Sequence, residues 1–287
     1  MNSFSFNRFC QTLRWVLANN FRLIAAGIVG YPALFFLAEM FILSISNTGG
    51  HRKYDDVLMN SVADFPTIFI LVNIVFFLSM IFFNYDKKAK REAHLMLPAT
   101  NLEKYLSAMF FVTVIAPLVV FIGFAVGDTL RMVVRSVFYG NEWISTVPRV
   151  LYNLTPDAFK IFSVDSAPVP FKLTEIYFAL SLITWIHSLY VFCGTLMRKY
   201  SFVVATAALI LSFALTLWIG CDKLQLNMFY GTTDGDGELV YEVGALGYIL
   251  CVILPLLAVF NYWASFYIFK SFQLITNKWT NYDILKR

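Results

Sequence analysis

The chain has 287 residues, 59% of them hydrophobic and 14% charged, where a soluble domain carries roughly a quarter charged residues. That composition excludes an ordinary soluble enzyme, and nucleic acid is not an expected partner. The net charge of +4 matters less than where the charges sit. Cys10, Cys193, Cys221 and Cys251 show no C-x-x-C or C-x-x-H spacing, so neither a disulfide framework nor a zinc site is expected.

Residues 1–20, MNSFSFNRFCQTLRWVLANN, interleave Phe4, Phe6, Phe9, Leu13 and Trp15 with Arg8 and Arg14. An interfacial helix uses this pattern, with aromatics among headgroups and arginines facing anionic lipid. Apolar runs follow at about 22–45, 65–84, 104–127, 174–197, 202–220 and 245–269. Each is long enough, at about 20 residues, to cross hydrocarbon as a helix that satisfies its own backbone hydrogen bonds. The fold class is therefore an all-α integral membrane protein, one six-span domain covering residues 1–287.

Placing both termini in the cytoplasm puts the majority of the 22 Lys and Arg residues on the cytoplasmic side, as the orientation rule requires. Residues 85–103 then form a cytoplasmic connection, and residues 128–173 and 221–244 lie on the opposite face. The string Asp234-Gly235-Asp236-Gly237-Glu238 reads as a tight turn: a calcium loop needs Gly sixth and Glu twelfth, where this chain has Leu239 and Ala245. Pro32, Pro66, Pro117 and Pro255 interrupt the spans and can kink them.

No H-E-x-x-H, G-x-S-x-G or Walker-type phosphate loop is present, so no catalytic residue, metal or cofactor is assigned, and ATP would be handled by another chain. Glu39 in the first span and His187 in the fourth are candidate substrate-path residues, because an ionisable group within the membrane must pair, face the bundle or be neutral. A structural polar contact is the competing reading for both.

The connection between spans two and three carries more information. Residues 87–96 can form a short helix with Ala89, Ala93 and Met96 on one face. Pro98 ends it. Thr100-x-x-Glu103 is a capping box that starts a new helix running into span three. The pattern is helix, break, capped helix: a rigid lever joined to a span.

The stretch REAHLMLPATNLEKYLSAMF, residues 91–110, resembles the first cytoplasmic loop of type-two ABC transporter permeases, and FSFNRFCQTLRW, residues 4–15, resembles the helix with which bacterial members begin. The resemblance implies a coupling helix that docks on a separate ATP-binding-cassette ATPase. It carries an ATPase-coupling role onto Lys90, Arg91, Glu92, His94, Leu95, Leu97, Pro98, Thr100 and Glu103. It further implies a permease dimer in the bacterial inner membrane, in contact with membrane lipid and exporting a substrate. Two other readings stay open: a non-transporting anchor or scaffold of an envelope complex, and a membrane enzyme using Glu39 and His187.

Overall fold

A computed structural model describes residues 4–46, 56–82, 88–140, 143–155, 168–197, 199–224, 228–233 and 239–271. Among them are six helices long and apolar enough to cross a membrane: Phe21–Ile45, Leu58–Ser79, Asn101–Phe138, Val169–Leu196, Ser201–Gly220 and Ala245–Lys270. The protein is an all-α multi-pass membrane protein carrying one small β-hairpin. It folds as two compact units, Met1–Leu78 with Glu92–Thr155, and Ser79–Arg91 with Pro156–Arg287.

The first unit contains α1 (Phe6–Asn19), α2 (Phe21–Ser46), α3 (Asp56–Ser79), the end of α4 (Lys88–Leu95), α5 (Asn101–Phe110), α6 (Ala116–Tyr139) and α7 (Val147–Asn153). α5 and α6 are one continuous rod, joined through a π-helical turn at Phe111–Ile115. Pro117 explains the turn. It has no N–H to return to the carbonyl of Thr113, so the helix widens locally, and the Ala116 N–H reaches back to the Phe111 carbonyl. The rod's 38 apolar-rich residues measure about 57 Å at 1.5 Å each, far beyond the roughly 30 Å of hydrocarbon.

The sequence reading ends the third span at 127 and starts the outer segment at 128, whereas the helices themselves run on. Residues 128–139 continue the helix of the third span, and 169–173 already belong to the helix of the fourth. Charges at Asp128, Arg131 and Arg135 made the span look finished at 127; in the structure all three are buried, so they do not stop the helix. The second span likewise begins earlier than residue 65, at Leu58, because Asn60, Ser61 and Asp64 interrupt the apolar run but not the helix.

α2 and α6 pack closely because glycines remove the intervening side chains. A Cβ at Gly123 would lie 2.5 Å from Tyr31 Cβ, and one at Gly127 2.9 Å from both Phe35 Cβ and the Pro32 carbonyl. Phe35 fills the same seam, its ring 5.3 Å from those of Phe69 and Phe124. Gly123→Val therefore forces the helices apart, with an expected stability loss of about 1–3 kcal/mol in thermal unfolding. Gly30→Ala, where a Cβ meets nothing within 4 Å, serves as the control and is expected to be neutral or stabilising.

The second unit packs α8 (Val169–Leu196) against α10 (Ala245–Lys270), with α9 (Ser201–Thr216) beside α8. Polar side chains hold this seam, as is usual where lipid gives helices no hydrophobic reason to associate. Thr195 Oγ1 lies 2.6 Å from Ser265 Oγ, Asn261 Nδ2 donates to Ser188 Oγ at 3.1 Å, and Tyr190 OH meets Thr206 Oγ1 at 3.0 Å. Strands β1 (Phe229–Thr233) and β2 (Leu239–Val243) pair antiparallel, Phe229 opposite Val243. Their Phe229 and Tyr241 join Phe171, Phe178, Cys251 and Leu254 in one buried apolar cluster. The Asp234–Glu238 turn lies outside the described residues.

Candidate functional site

The capped lever read from the sequence takes definite form at the junction of α1, α4 and α5. Thr100 has extended backbone and accepts from the Glu103 N–H at 3.3 Å, while Glu103 Oε2 accepts from the Thr100 N–H at 2.8 Å, a complete capping box. Glu103 does more than cap. Its Oε1 accepts from the Ser5 N–H at 2.7 Å and from Arg8 Nη2 at 2.9 Å, and both its oxygens face Arg8 Nε. One fully buried carboxylate thus closes the N-terminus of α5 and clamps the first turn of α1 onto it.

Arg8 was expected to face anionic lipid. The clamp redirects it, because a guanidinium gains more from a fixed carboxylate that accepts in two directions than from a mobile headgroup. α1 itself is a helix of 14 residues, as its Phe and Arg pattern implied.

α4 is turned opposite to what its pattern would favour in water. Ala89 and Ala93 are exposed, Met96 is 83% exposed, and the polar His94 is buried at 1%. His94 packs on Trp15, ring centroids 5.6 Å apart, and Lys104 donates to the Leu95 carbonyl at 2.9 Å, closing the C-terminal end of α4. Glu92 and Leu97 are half-buried, Leu95 and Pro98 are exposed, and Lys90 is partly exposed; the Arg91 side chain lies outside the described residues. Of the nine residues assigned to coupling, then, His94 and Glu103 face inward and hold the lever, while Leu95 and Pro98 lie outward.

Burial, helped by the Lys104 charge, pushes the His94 imidazole down to about 4. The unfolded chain takes up its proton near pH 6.5, the folded one only near 4. Stability contributed by neutral His94 is therefore present above pH 6.5 and lost as pH falls from 6.5 to 4, by at most about 3 kcal/mol. Thermal unfolding at pH 7 and pH 4.5 checks this: His94→Phe is expected to flatten the part of the acid loss that the wild-type chain owes to this ring.

A second network occupies the other end of the same rod. Glu39 and Asp128 are fully buried, and between them Arg131, 1% exposed, donates Nε to Glu39 Oε2 at 2.9 Å and to Asp128 Oδ1 at 3.1 Å, with Nη2 also on Asp128 and on the Ile144 carbonyl at 2.8 Å. Asp128 Oδ2 accepts from Ser145 Oγ at 2.6 Å and the Thr146 N–H at 3.2 Å; Thr146 Oγ1 lies 2.9 Å from Asp128 Oδ1. The network ties residues 144–146, just ahead of α7, to α2 and α6. Glu103 and Asp128 stand about 38 Å apart along the rod, so the two networks sit near its opposite ends.

Glu39 accordingly belongs to a closed ion network near the far end of α2 and exposes no surface to a passing substrate in this structure. His187 belongs to the second unit, its Nδ1 2.6 Å from Tyr262 OH. Sequence reasoning missed Asp128, Arg131 and Thr146, and assigned Trp15 to the headgroup region without its contact on His94. The i,i+3 pair Asp128/Arg131 inside a run that stays apolar to Val137 was the available signal. Among the described residues no cluster of His, Cys, Asp and Glu could hold a metal. Compared with protein-family models, curated proteins and solved structures, the chain matches none.

Proposed function

We propose that this chain is the membrane-embedded permease subunit of an ATP-binding-cassette transporter, exporting a substrate with ATP hydrolysed by a separate subunit in the cytoplasm. The observation that carries the reading is α4: a short helix with Ala93 and Met96 turned outward, braced from behind by His94, Lys104 and the capped start of a spanning rod. An exposed apolar face on a rigid mount suits a docking surface, and the mount suits force transmission. The resemblance of residues 91–110 to the coupling loop of type-two permeases names the kind of partner.

In this reading both termini are cytoplasmic, the membrane is the bacterial inner membrane, and two permeases act together. ATP-driven closure of the ATPase pushes on α4. Lys104 and Glu103 pass the displacement to α1 and α5, and the rod carries it toward the Glu39, Asp128 and Arg131 network. The direction of transport follows from different substrate affinities of the two states. The test is purification of the tagged full-length chain from its own cells, followed by an ATP hydrolysis assay. A stoichiometric nucleotide-binding subunit is expected; a preparation free of any ATPase removes the transporter reading in favour of an anchor or scaffold.

A further inference from the structure

We infer that the cavity between α2, α3 and the π-turn seats one acyl chain of an anionic phospholipid, with its phosphate at Arg22. The cavity measures about 330 Å³ and is lined from Leu23 and Gly27 to Leu34 on α2, by Phe77 on α3, and by Phe111, Ala116 and Val119 on the rod. That volume is at the lower end of ligand pockets, about 300–1,000 Å³, and more than twice the roughly 150 Å³ that suffices for benzene. Its walls are almost wholly apolar; the one hydroxyl, Tyr31 OH, is already hydrogen-bonded to Asn73 Oδ1 at 3.2 Å. Nothing in the cavity selects a polar ligand.

Shape and position select the occupant. The lining runs from residue 23 to 34 of one helix, about 17 Å, so the space is elongated along the membrane-crossing direction. It opens laterally, where Leu23 is 51% and Leu34 37% exposed, and the medium around such a helix is hydrocarbon. Gly30 keeps it open: a Cβ there would meet nothing within 4 Å. Exposed Arg22 immediately precedes the first lining residue, a cation at the end of the groove where a phosphate would sit. The inference stands apart from the transport reading, since it concerns what fills the groove in any multi-pass protein with these residues.

The experiment reconstitutes the full chain in phosphatidylcholine discs containing phosphatidylglycerol with a photoactivatable group on one acyl chain, and maps the labelled peptides by mass spectrometry. Label is expected on residues 23–34 and 111–119. Unlabelled phosphatidylglycerol should compete better than phosphatidylcholine, and Arg22→Gln should erase that preference. Gly30→Leu should cut labelling at these peptides about fivefold, whereas Ala33→Leu, outside the lining, should leave it unchanged. Equal labelling of the exposed Ile122, Val126 and Leu130 face, or equal competition by the two lipids, overturns the proposal. So does Gly30→Leu that leaves labelling intact while turning a dimer into monomers, which would assign the groove to a helix of a second copy. The competition arm uses the wild-type chain and decides the question even if Gly30→Leu fails to fold.

Discussion

Arg131→Met is expected to lower the stability of the chain in detergent by about 3–5 kcal/mol, the cost of leaving buried carboxylates without their cation. Among the described residues Arg131 is the cation that pairs with both Glu39 and Asp128, which are fully buried. Removing it leaves two like charges facing each other around Thr146. The compensating variant is informative. Glu39→Met together with Arg131→Met removes one acid with the cation, and Asp128 keeps Ser145 Oγ and the Thr146 N–H and hydroxyl as donors. The double variant is therefore expected to be more stable than Arg131→Met alone, by about 1–3 kcal/mol, in a non-additive cycle. Additive losses in chemical unfolding would mean that the two side chains do not act as a pair.

Glu103→Ala is expected to release α1. The substitution removes the acceptor shared by Ser5, Arg8 and Thr100 in one step, so the helix start and the α1 clamp fail together. Hydrogen exchange of residues 6–19 should accelerate roughly tenfold, with a smaller change in residues 116–139. Thr100→Ala separates the two roles: it removes the side-chain cap, worth about 1 kcal/mol, and leaves the Arg8 contact in place. Exchange in α1 that is unaffected by Glu103→Ala would show that α1 is held by its aromatic contacts, such as Phe9 on Phe110 at 6.3 Å, and not by the ion pair.

The six spans were legible because an apolar run of some 20 residues has few alternatives in lipid. The capping box was legible as well, since its two partners are three residues apart and the proline before it fixes the break. What escaped was every contact between residues distant in sequence. Glu103 reads as a local cap, but its clamp on Arg8 joins positions 95 residues apart. Asp128 and Arg131 read as the end of a span because charges usually mark a boundary; only Glu39, 92 residues earlier, makes their burial affordable. The hairpin was hidden for another reason: its short strands derive their stability from Phe171, Phe178 and Leu254 in the neighbouring helices, not from their own length. The reversed orientation of α4 followed from Trp15 and Lys104, neither of which periodicity within residues 87–96 can register.

The most direct test of the account is the outward face of α4. Ala93→Asp with Met96→Asp places two charges on a surface that touches nothing in the chain's own core, so thermal stability and the exchange pattern of α1 should stay at wild-type levels. If the proposed transporter function holds, the amount of ATP-hydrolysing subunit recovered with the tagged chain falls about tenfold or more. Undiminished recovery of that subunit with the doubly charged variant would contradict it.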